Sequence, residues 1–142
     1  MPSERLKKKI LIVDDEEDMR IFISTVAETS GYEALVAENG EEGLKIARSD
    51  RPDLVILDVM MPKTEDGIQT FFRFKSDTDL KDIPIIILSA ISKKTFFHYI
   101  SMYPANQDAH YEPEGYMEKP PDAADLIQLI EGALRPKVGP KV

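Results

Sequence analysis

Short, continuous apolar runs alternate along the chain with longer segments in which apolar residues recur at helical spacing. Residues 10–13 are wholly apolar, as expected for a strand that is buried on both faces of a parallel sheet. Residues 85–88 are also wholly apolar and are mostly β-branched, which favours strand structure. Runs of this kind, and one shorter stretch near the end, predict five strands at residues 10–13, 32–37, 54–57, 85–88 and 116–118.

Each predicted strand is followed by a segment with the apolar spacing of a helix. In residues 16–30, one face is formed by Met19, Ile23, Val26 and Ala27. Gly31 is a typical helix end, because glycine tolerates a left-handed backbone. Four more helices are predicted. The first covers residues 41–48, and the second has a face formed by Ile68, Phe71, Phe72 and Lys75. The third covers residues 93–102 with Phe97 and Ile100 buried, and the fourth covers residues 122–134 after the N-cap Asp122.

Turn-forming residues predict the connections between these elements. Asn39-Gly40 indicates a turn, and residues 61–67 are predicted to form a loop. Residues 103–115, with the sequence YPANQDAHYEPEG, are rich in turn formers and poor in apolar residues. They predict an unusually long loop, of the kind that is often functional or mobile.

Five alternations of strand and helix predict the fold class. The economical solution is a three-layer α/β sandwich, with a parallel sheet between two layers of helices and right-handed crossovers. A chain of 142 residues is long enough for one domain with its own core. We expect residues 1–8 to be an N-terminal extension, residues 9–135 to form the domain, and residues 136–142 to be a flexible tail.

Composition excludes several classes of function. The net charge of −8 argues against direct nucleic-acid binding, which needs a basic face, and against binding to anionic membranes. No apolar run approaches the length of a membrane span, and the chain has no cysteine, so disulfide and thiolate chemistry are excluded. These features favour a cytoplasmic protein.

Charged residues follow several of the predicted strands. Asp14 and Asp15 come after the first strand, Asp58 after the third and Lys119 after the fifth, while Ser89 follows the fourth. The carboxyl ends of parallel strands gather along one edge of the sheet, where such folds bind ligands. Clustered carboxylates favour a hard divalent cation such as Mg²⁺, with Mn²⁺ as a possible substitute. A carboxylate can also act as a nucleophile on phosphorus, so the pattern predicts a site for a cation and a phosphoryl group.

Each of these residues also has an ordinary structural interpretation. Asp14 and Asp15 could cap a helix or interact with its dipole. Asp58 could line a turn, and Lys119 could be a surface lysine. Their occurrence at corresponding strand ends favours the functional interpretation.

Five motifs occur in the chain in a fixed order: ILIVDDEEDMR, LVILDVMMP, DGI, IPIIILSA and GYMEKP. Together they resemble the receiver domain of two-component response regulators, and the resemblance covers residues 9–134. It implies a flavodoxin-like fold with the sheet order 2-1-3-4-5. It also implies that Asp58 is the phosphoacceptor, that Asp14 and Asp15 hold Mg²⁺ with Asp58, and that the backbone carbonyl of Met60 is a further metal ligand.

The resemblance implies roles for three more residues. Ser89 matches the hydroxyl residue that contacts the phosphoryl group, and Lys119 matches the lysine that pairs with its oxygens. The bond from Lys119 to Pro120 is expected to be cis, and Tyr116 matches the aromatic residue that takes part in switching. Thirty positions separate Ser89 from Lys119, which is longer than is usual in the family. The loop before Asp66-Gly67 is one residue longer than usual.

The leading hypothesis is a signalling switch that a histidine kinase or a phosphotransfer protein phosphorylates, and that an unknown output protein recognises. Such a domain catalyses only its own phosphorylation and dephosphorylation. One alternative is a Mg²⁺-dependent phosphohydrolase with an aspartyl-phosphate intermediate, although Met60 occupies the position where that chemistry needs an acid. Another alternative is an interaction module with a vestigial pocket.

Overall fold

The computed structural model describes residues 7–60, 64–104 and 109–135. Strands and helices alternate along the chain: β1 Lys9–Val13, α1 Glu17–Thr29, β2 Glu33–Ala37, α2 Gly40–Asp50, β3 Leu54–Leu57, α3 Thr64–Ser76, β4 Ile85–Ser89, α4 Lys93–Met102, β5 Gly115–Glu118 and α5 Ala123–Leu134. The predicted tail and most of the predicted N-terminal extension lie outside the described residues. Within the described residues, no helix is long and apolar enough to cross a membrane.

The five strands form one parallel sheet in the order β2-β1-β3-β4-β5. This order confirms the predicted flavodoxin-like three-layer fold. Val13 at the end of β1 is in register with Ala37 of β2 and with Leu57 of β3. The carboxyl ends of these strands therefore lie side by side at one edge of the sheet.

The core consists of two layers, one on each face of the sheet. Leu11 and Val13 face one layer, in which they pack with apolar residues of α2, α3 and α4. Ile10 and Ile12 face the other layer, which α1 and α5 cover. Successive side chains of a strand point to opposite faces, so a strand that is covered on both sides must be continuously apolar. This requirement explains the unbroken apolar runs in the sequence.

Helix α3 begins within the segment that was predicted to be a loop, so that prediction is wrong from Thr64 onward; residues 61–63 lie outside the described residues. Gly67 lies inside the helix and packs directly against the backbone of Val59, to whose carbonyl its N–H donates at 3.2 Å. A Cβ atom at position 67 would overlap the Val59 backbone. The glycine therefore allows a close approach between helix and loop and does not form a turn.

The predicted turn at Asn39-Gly40 is also part of a helix. Asn39 is the N-cap of α2, and its side chain accepts a hydrogen bond from the backbone N–H of Glu42 at 2.8 Å. Asparagine is favoured at this position for the same reason that it is favoured in turns, because its side chain bonds to nearby backbone groups.

Helix α4 forms as predicted, but Phe96 takes the buried position that was assigned to Phe97. Phe96 and Ile100 are buried, and Phe97 packs at the margin of the core. Residues four apart share a helix face, which is the spacing of Phe96 and Ile100. The Phe96 ring makes an edge contact with Phe71, with 5.8 Å between centroids.

The long loop predicted after α4 is described only in part: residues 103–104 and 109–114 contain no α-helix or strand, and they are anchored to α3. The ring of Tyr103 stacks on Phe72 with 4.5 Å between centroids, and the ring of Tyr111 lies 6.1 Å from Phe72. Glu114 contacts Lys75 of the same helix at 2.9 Å. Two aromatic contacts and one ion pair therefore hold the described parts of this loop against the core.

Candidate functional site

Backbone hydrogen bonds beyond the strand ends position the candidate residues. The N–H of Asp14 donates to the carbonyl of Ala37 at 3.1 Å, and the N–H of Asp58 donates to the carbonyl of Val13 at 2.9 Å. At the ends of β4 and β5, the N–H of Lys119 donates to the carbonyl of Ser89 at 2.8 Å. These bonds continue the sheet pairing by one residue, so they set the direction in which each side chain leaves the edge.

The Lys119 ammonium group lies at the centre of the site. Its Nζ atom is 3.0 Å from Oδ2 of Asp14, 3.1 Å from Oδ2 of Asp58 and 2.9 Å from Oε1 of Glu16. The side chains of Asp14 and Asp58 are only 2% and 4% exposed, and that of Lys119 is 12% exposed. A lysine has three N–H donors, and here each has a carboxylate partner.

The second oxygen of each buried aspartate is held by the backbone. Oδ1 of Asp14 accepts from the N–H of Glu16 at 2.9 Å, and Oδ1 of Asp58 accepts from the N–H of Met60 at 3.0 Å. Each carboxylate therefore has one oxygen fixed by its own chain and one directed toward Lys119. The capping interpretation of the acid pair is wrong, because Glu16 is the N-cap of α1 and the cap makes no side-chain hydrogen bond.

Three carboxylates form a group that could hold a cation. Asp14, Asp15 and Asp58 each offer an oxygen, and these oxygens lie within 4.8 Å of one another. Asp15 is exposed, whereas the other two are buried. Small hard cations such as Mg²⁺ bind through carboxylates and retain several waters, and the exposed side of this group leaves room for such waters. The donor set therefore fits Mg²⁺.

The surroundings shift the pKa values of two of these groups. Burial raises the pKa of Asp14, and the charge of Asp58 adds to this rise, although hydrogen bonds from Glu16 and Lys119 oppose it. Burial lowers the pKa of Lys119, but hydrogen bonds to Glu16 and Asp14 and the negative charges of Asp58 and Asp14 outweigh it, so that the net shift is upward. The lysine is thus charged, and the raised pKa of Asp14 means that nearby positive charge favours the ionised form of this carboxylate.

Ser89 is the last residue of β4, and Tyr116 is the second residue of the neighbouring strand β5. Ser89 is fully buried, and its Oγ lies 3.5 Å from the N–H of Ile91. The Tyr116 hydroxyl donates to the carbonyl of Ile91 at 2.6 Å, with the carbonyl of Ser92 at 3.3 Å. The pKa of Tyr116 is raised by burial and by the charges of Glu118 and Asp58, so the hydroxyl remains a donor. Tyr116 therefore ties β5 to the turn before α4.

The structure thus brings Asp14, Asp15, Asp58 and Lys119 together, with Ser89 and Tyr116 on the strands beside them, and the Lys119–Pro120 bond is cis, as expected. Met60 adjoins the site through its backbone N–H. Sequence reasoning did not single out Glu16, although it shares the strand end with the acid pair. Acidic residues near a helix start are common because they interact favourably with the helix dipole, so an acid at position 16 does not stand out in the sequence.

Residues 10–131 match the family described as the response regulator receiver domain, and the chain belongs to this family. It is therefore a signalling domain of two-component systems, which confirms the resemblance noted in the sequence.

Individual relatives support this assignment. The chain is 37% identical over 130 residues to the polar-differentiation response regulator DivK of Brucella anthropi, a match that covers 91% of this chain and 98% of DivK. It is 35% identical over 133 residues to the phosphate regulon transcriptional regulatory protein PhoB of Pseudomonas aeruginosa, covering 94% of this chain and 54% of PhoB. The chemotaxis protein CheY4 of Vibrio cholerae has a similar structure, with a TM-score of 0.75, 25% identity, and coverage of 90% of this chain and 99% of CheY4.

These relatives differ in length. The chain spans 54% of the length of PhoB and between 32% and 35% of several other transcriptional regulators that it matches. The functions that those longer proteins have outside their receiver domains are therefore not assigned to this chain.

Proposed function

We propose that Asp58 accepts a phosphoryl group from a histidine kinase or a phosphotransfer protein, and that the resulting acyl phosphate switches the domain between two conformations. The observation that carries this proposal is the position of Asp58. It is a buried carboxylate with the Lys119 ammonium at 3.1 Å and two further carboxylates within 4.8 Å. The matched family segment and the elements from Lys9 to Leu134 support residues 9–135 as the extent of the receiver domain.

The orientation of Asp58 suits nucleophilic attack. The N–H of Met60 holds Oδ1, so Oδ2 is the oxygen directed into the site. In the transfer step, Oδ2 attacks phosphorus and the bond from phosphorus to the donor's imidazole nitrogen breaks. The imidazole departs with the bonding electron pair, and Lys119 donates hydrogen bonds to the phosphoryl oxygens. Phosphoryl transfer depends mainly on such positioning and charge neutralisation.

Asp14, Asp15 and Asp58 would hold Mg²⁺, or Mn²⁺ in its place, and the backbone carbonyl of Met60 is a further candidate ligand. When bound, the cation would neutralise charge on the phosphoryl oxygens. The support for this ligand set is the all-oxygen donor group and the upward pKa shift of Asp14. Both indicate that the site favours additional positive charge.

Ser89 and Tyr116 are the candidates for transmitting the switch. The Ser89 hydroxyl is buried between the sheet edge and the turn before α4, and it can donate to a phosphoryl oxygen on Asp58. A movement of Ser89 toward that oxygen would shift Ile91, whose carbonyl receives the Tyr116 hydroxyl. The phosphorylation state would then bias one of two arrangements of the turn and α4.

The exposed face of α4 supports this helix as part of the surface that an output protein recognises. Tyr99 and Met102 are large apolar side chains that are 47% and 64% exposed. They lie on the helix that follows the switch turn, so a shift of that turn would change how they are presented.

A phosphohydrolase is not favoured. Such an enzyme needs a general acid near its aspartyl phosphate, and the side chain two positions after Asp58 is the apolar Met60. An interaction module with a vestigial pocket is also disfavoured, since the acids and the lysine contact one another at hydrogen-bond distances.

Incubation with acetyl phosphate and Mg²⁺, followed by intact mass measurement, tests the three functions together. A signalling receiver gains one phosphoryl group that persists long enough to be seen. A phosphohydrolase consumes the donor without lasting gain, and a vestigial pocket does neither. Asp15→Ala is expected to remove both Mg²⁺ binding and phosphoryl uptake, with the fold intact by circular dichroism.

A further inference from the structure

We propose that Glu16 is a positioning residue that keeps the Lys119 ammonium beside Asp58 while a cation and a phosphoryl group are in the site. The inference rests on the proposed function. It starts from the three carboxylates around Lys119, of which Asp14 and Asp58 are buried and Glu16 has a side chain that is 62% exposed.

Two of the three carboxylate partners change during the reaction. Asp14 and Asp58 belong to the group of acids that would hold the cation, and an oxygen that binds a cation is a weaker acceptor for a lysine. The carboxylate of Asp58 also loses its charge when it becomes an acyl phosphate, because the negative charge then lies on the phosphoryl oxygens. Glu16 is not a member of that group, so its contact with Lys119 at 2.9 Å can persist through the cycle.

Electrostatics make this contact important in the loaded site. With a divalent cation on the aspartates, the Lys119 ammonium faces a second positive charge at short range, in a partly buried site where repulsion is screened less than in water. The Glu16 side chain is exposed, and its negative charge at 2.9 Å from Nζ of Lys119 opposes this repulsion. Without Glu16, the lysine side chain is free to turn toward solvent and lose its contact with the phosphoryl oxygens.

The local geometry allows Glu16 to be changed without disturbing the helix. Although Glu16 is the N-cap of α1, its side chain makes no capping bond. Glu16→Ala removes the contact, while Glu16→Gln keeps an acceptor for Lys119 and removes the charge. Glu17→Gln is the matched control, because it removes one charge from the adjacent exposed position.

The first measurement uses Mg²⁺ alone and follows the ¹H–¹⁵N signal of the lysine ammonium groups by NMR, with Lys119→Met to assign the signal. We expect the Lys119 signal to persist in the metal-free parent and in metal-free Glu16→Ala, since Asp14 and Asp58 still hold the ammonium. On addition of Mg²⁺, the signal should persist in the parent and disappear in Glu16→Ala. Retention of the signal in both proteins would overturn the proposal.

The second measurement is the rate of phosphorylation by acetyl phosphate at saturating Mg²⁺. Glu16→Ala should be about fivefold slower, the effect expected for an exposed ion pair, with Glu16→Gln between it and the parent. Acetyl phosphate is an anion, so general charge repulsion predicts the opposite sign, and Glu17→Gln measures that effect. A rate for Glu16→Ala equal to or above that of Glu17→Gln would overturn the proposal.

A double-variant comparison shows whether Glu16 acts through Lys119. Glu16→Ala should slow phosphorylation in the parent but have no further effect in Lys119→Met. An equal effect in both backgrounds would overturn the proposal, although the parent's own phosphorylation would still support the function of Asp58. A parent chain that takes up no phosphoryl group would instead contradict the proposed function itself, and the inference with it.

Discussion

Glu114 connects the long segment after α4 to two other elements, and its removal should destabilise the domain. Both of its carboxylate oxygens lie 2.9 Å from Nζ of Lys75 in α3. Oε1 also accepts from the backbone N–H of Ile85, the first residue of β4, at 2.7 Å. The Lys75 side chain is 7% exposed, whereas that of Glu114 is 36% exposed. The two ends of this ion pair therefore differ in how easily water can replace the partner.

This difference predicts unequal costs for the two deletions. Glu114→Ala leaves a buried ammonium and a backbone N–H without their carboxylate. Breaking a buried pair in this way costs about 3–5 kcal/mol, and the partial exposure of Glu114 reduces the expected loss to about 2–3 kcal/mol. Lys75→Met leaves a carboxylate that water can reach and that retains the Ile85 N–H, so its expected cost is about 1 kcal/mol.

Urea unfolding followed by far-ultraviolet circular dichroism measures both costs. The midpoint should fall further for Glu114→Ala than for Lys75→Met, with the denaturant slope unchanged. Glu112→Ala is a suitable control because Glu112 is exposed in the same segment, and it should leave the midpoint unchanged. A cost for Glu114→Ala no greater than that for Glu112→Ala, or equal costs for Glu114→Ala and Lys75→Met, would contradict the stabilising role of this ion pair.

Three further predictions concern the site and its surroundings. Burial raises the pKa of Asp14, so a proton competes with Mg²⁺ for its carboxylate. On acidification, the Mg²⁺ affinity measured by calorimetry should therefore begin to fall at a higher pH than it would with an aspartate of unshifted pKa. Gly67→Ala should cost about 3 kcal/mol in urea unfolding, because the added methyl group overlaps the Val59 backbone; an unchanged midpoint would contradict this packing. Met60 and Ile91 are apolar and cannot orient a hydrolytic water, so Met60→Asn with Ile91→Glu should speed loss of the phosphoryl group in a ³¹P NMR time course. Equal decay in the parent and the double variant would contradict this prediction.

The strands could be predicted from the sequence because their burial leaves a direct pattern. Residues 10–13 and 54–57 are apolar without interruption, and the structure shows each of them almost completely buried. The site could be predicted for a related reason. Parallel strands end along one edge, so a charged residue after each strand is brought to that edge whatever its distance along the chain.

Other features depend on contacts that the sequence pattern does not contain. Gly67 follows an aspartate, which suggests a turn, but it lies in a helix, and the close approach of the Val59 backbone explains why the residue is a glycine. Lys75 was assigned to an apolar helix face, and its charge is balanced by Glu114, which is 39 positions away. Glu16 was overlooked because an acidic residue near a helix start is common, and nothing in the sequence pattern indicates its contact with Lys119.

Asp58 is the residue that we propose receives the phosphoryl group. The most direct test is intact mass measurement after incubation with acetyl phosphate and Mg²⁺, with the parent chain and Asp58→Asn treated in parallel. The parent should gain the mass of one phosphoryl group and Asp58→Asn should gain none, with both proteins folded by circular dichroism. Phosphoryl uptake by Asp58→Asn at the rate of the parent would contradict the role proposed for Asp58.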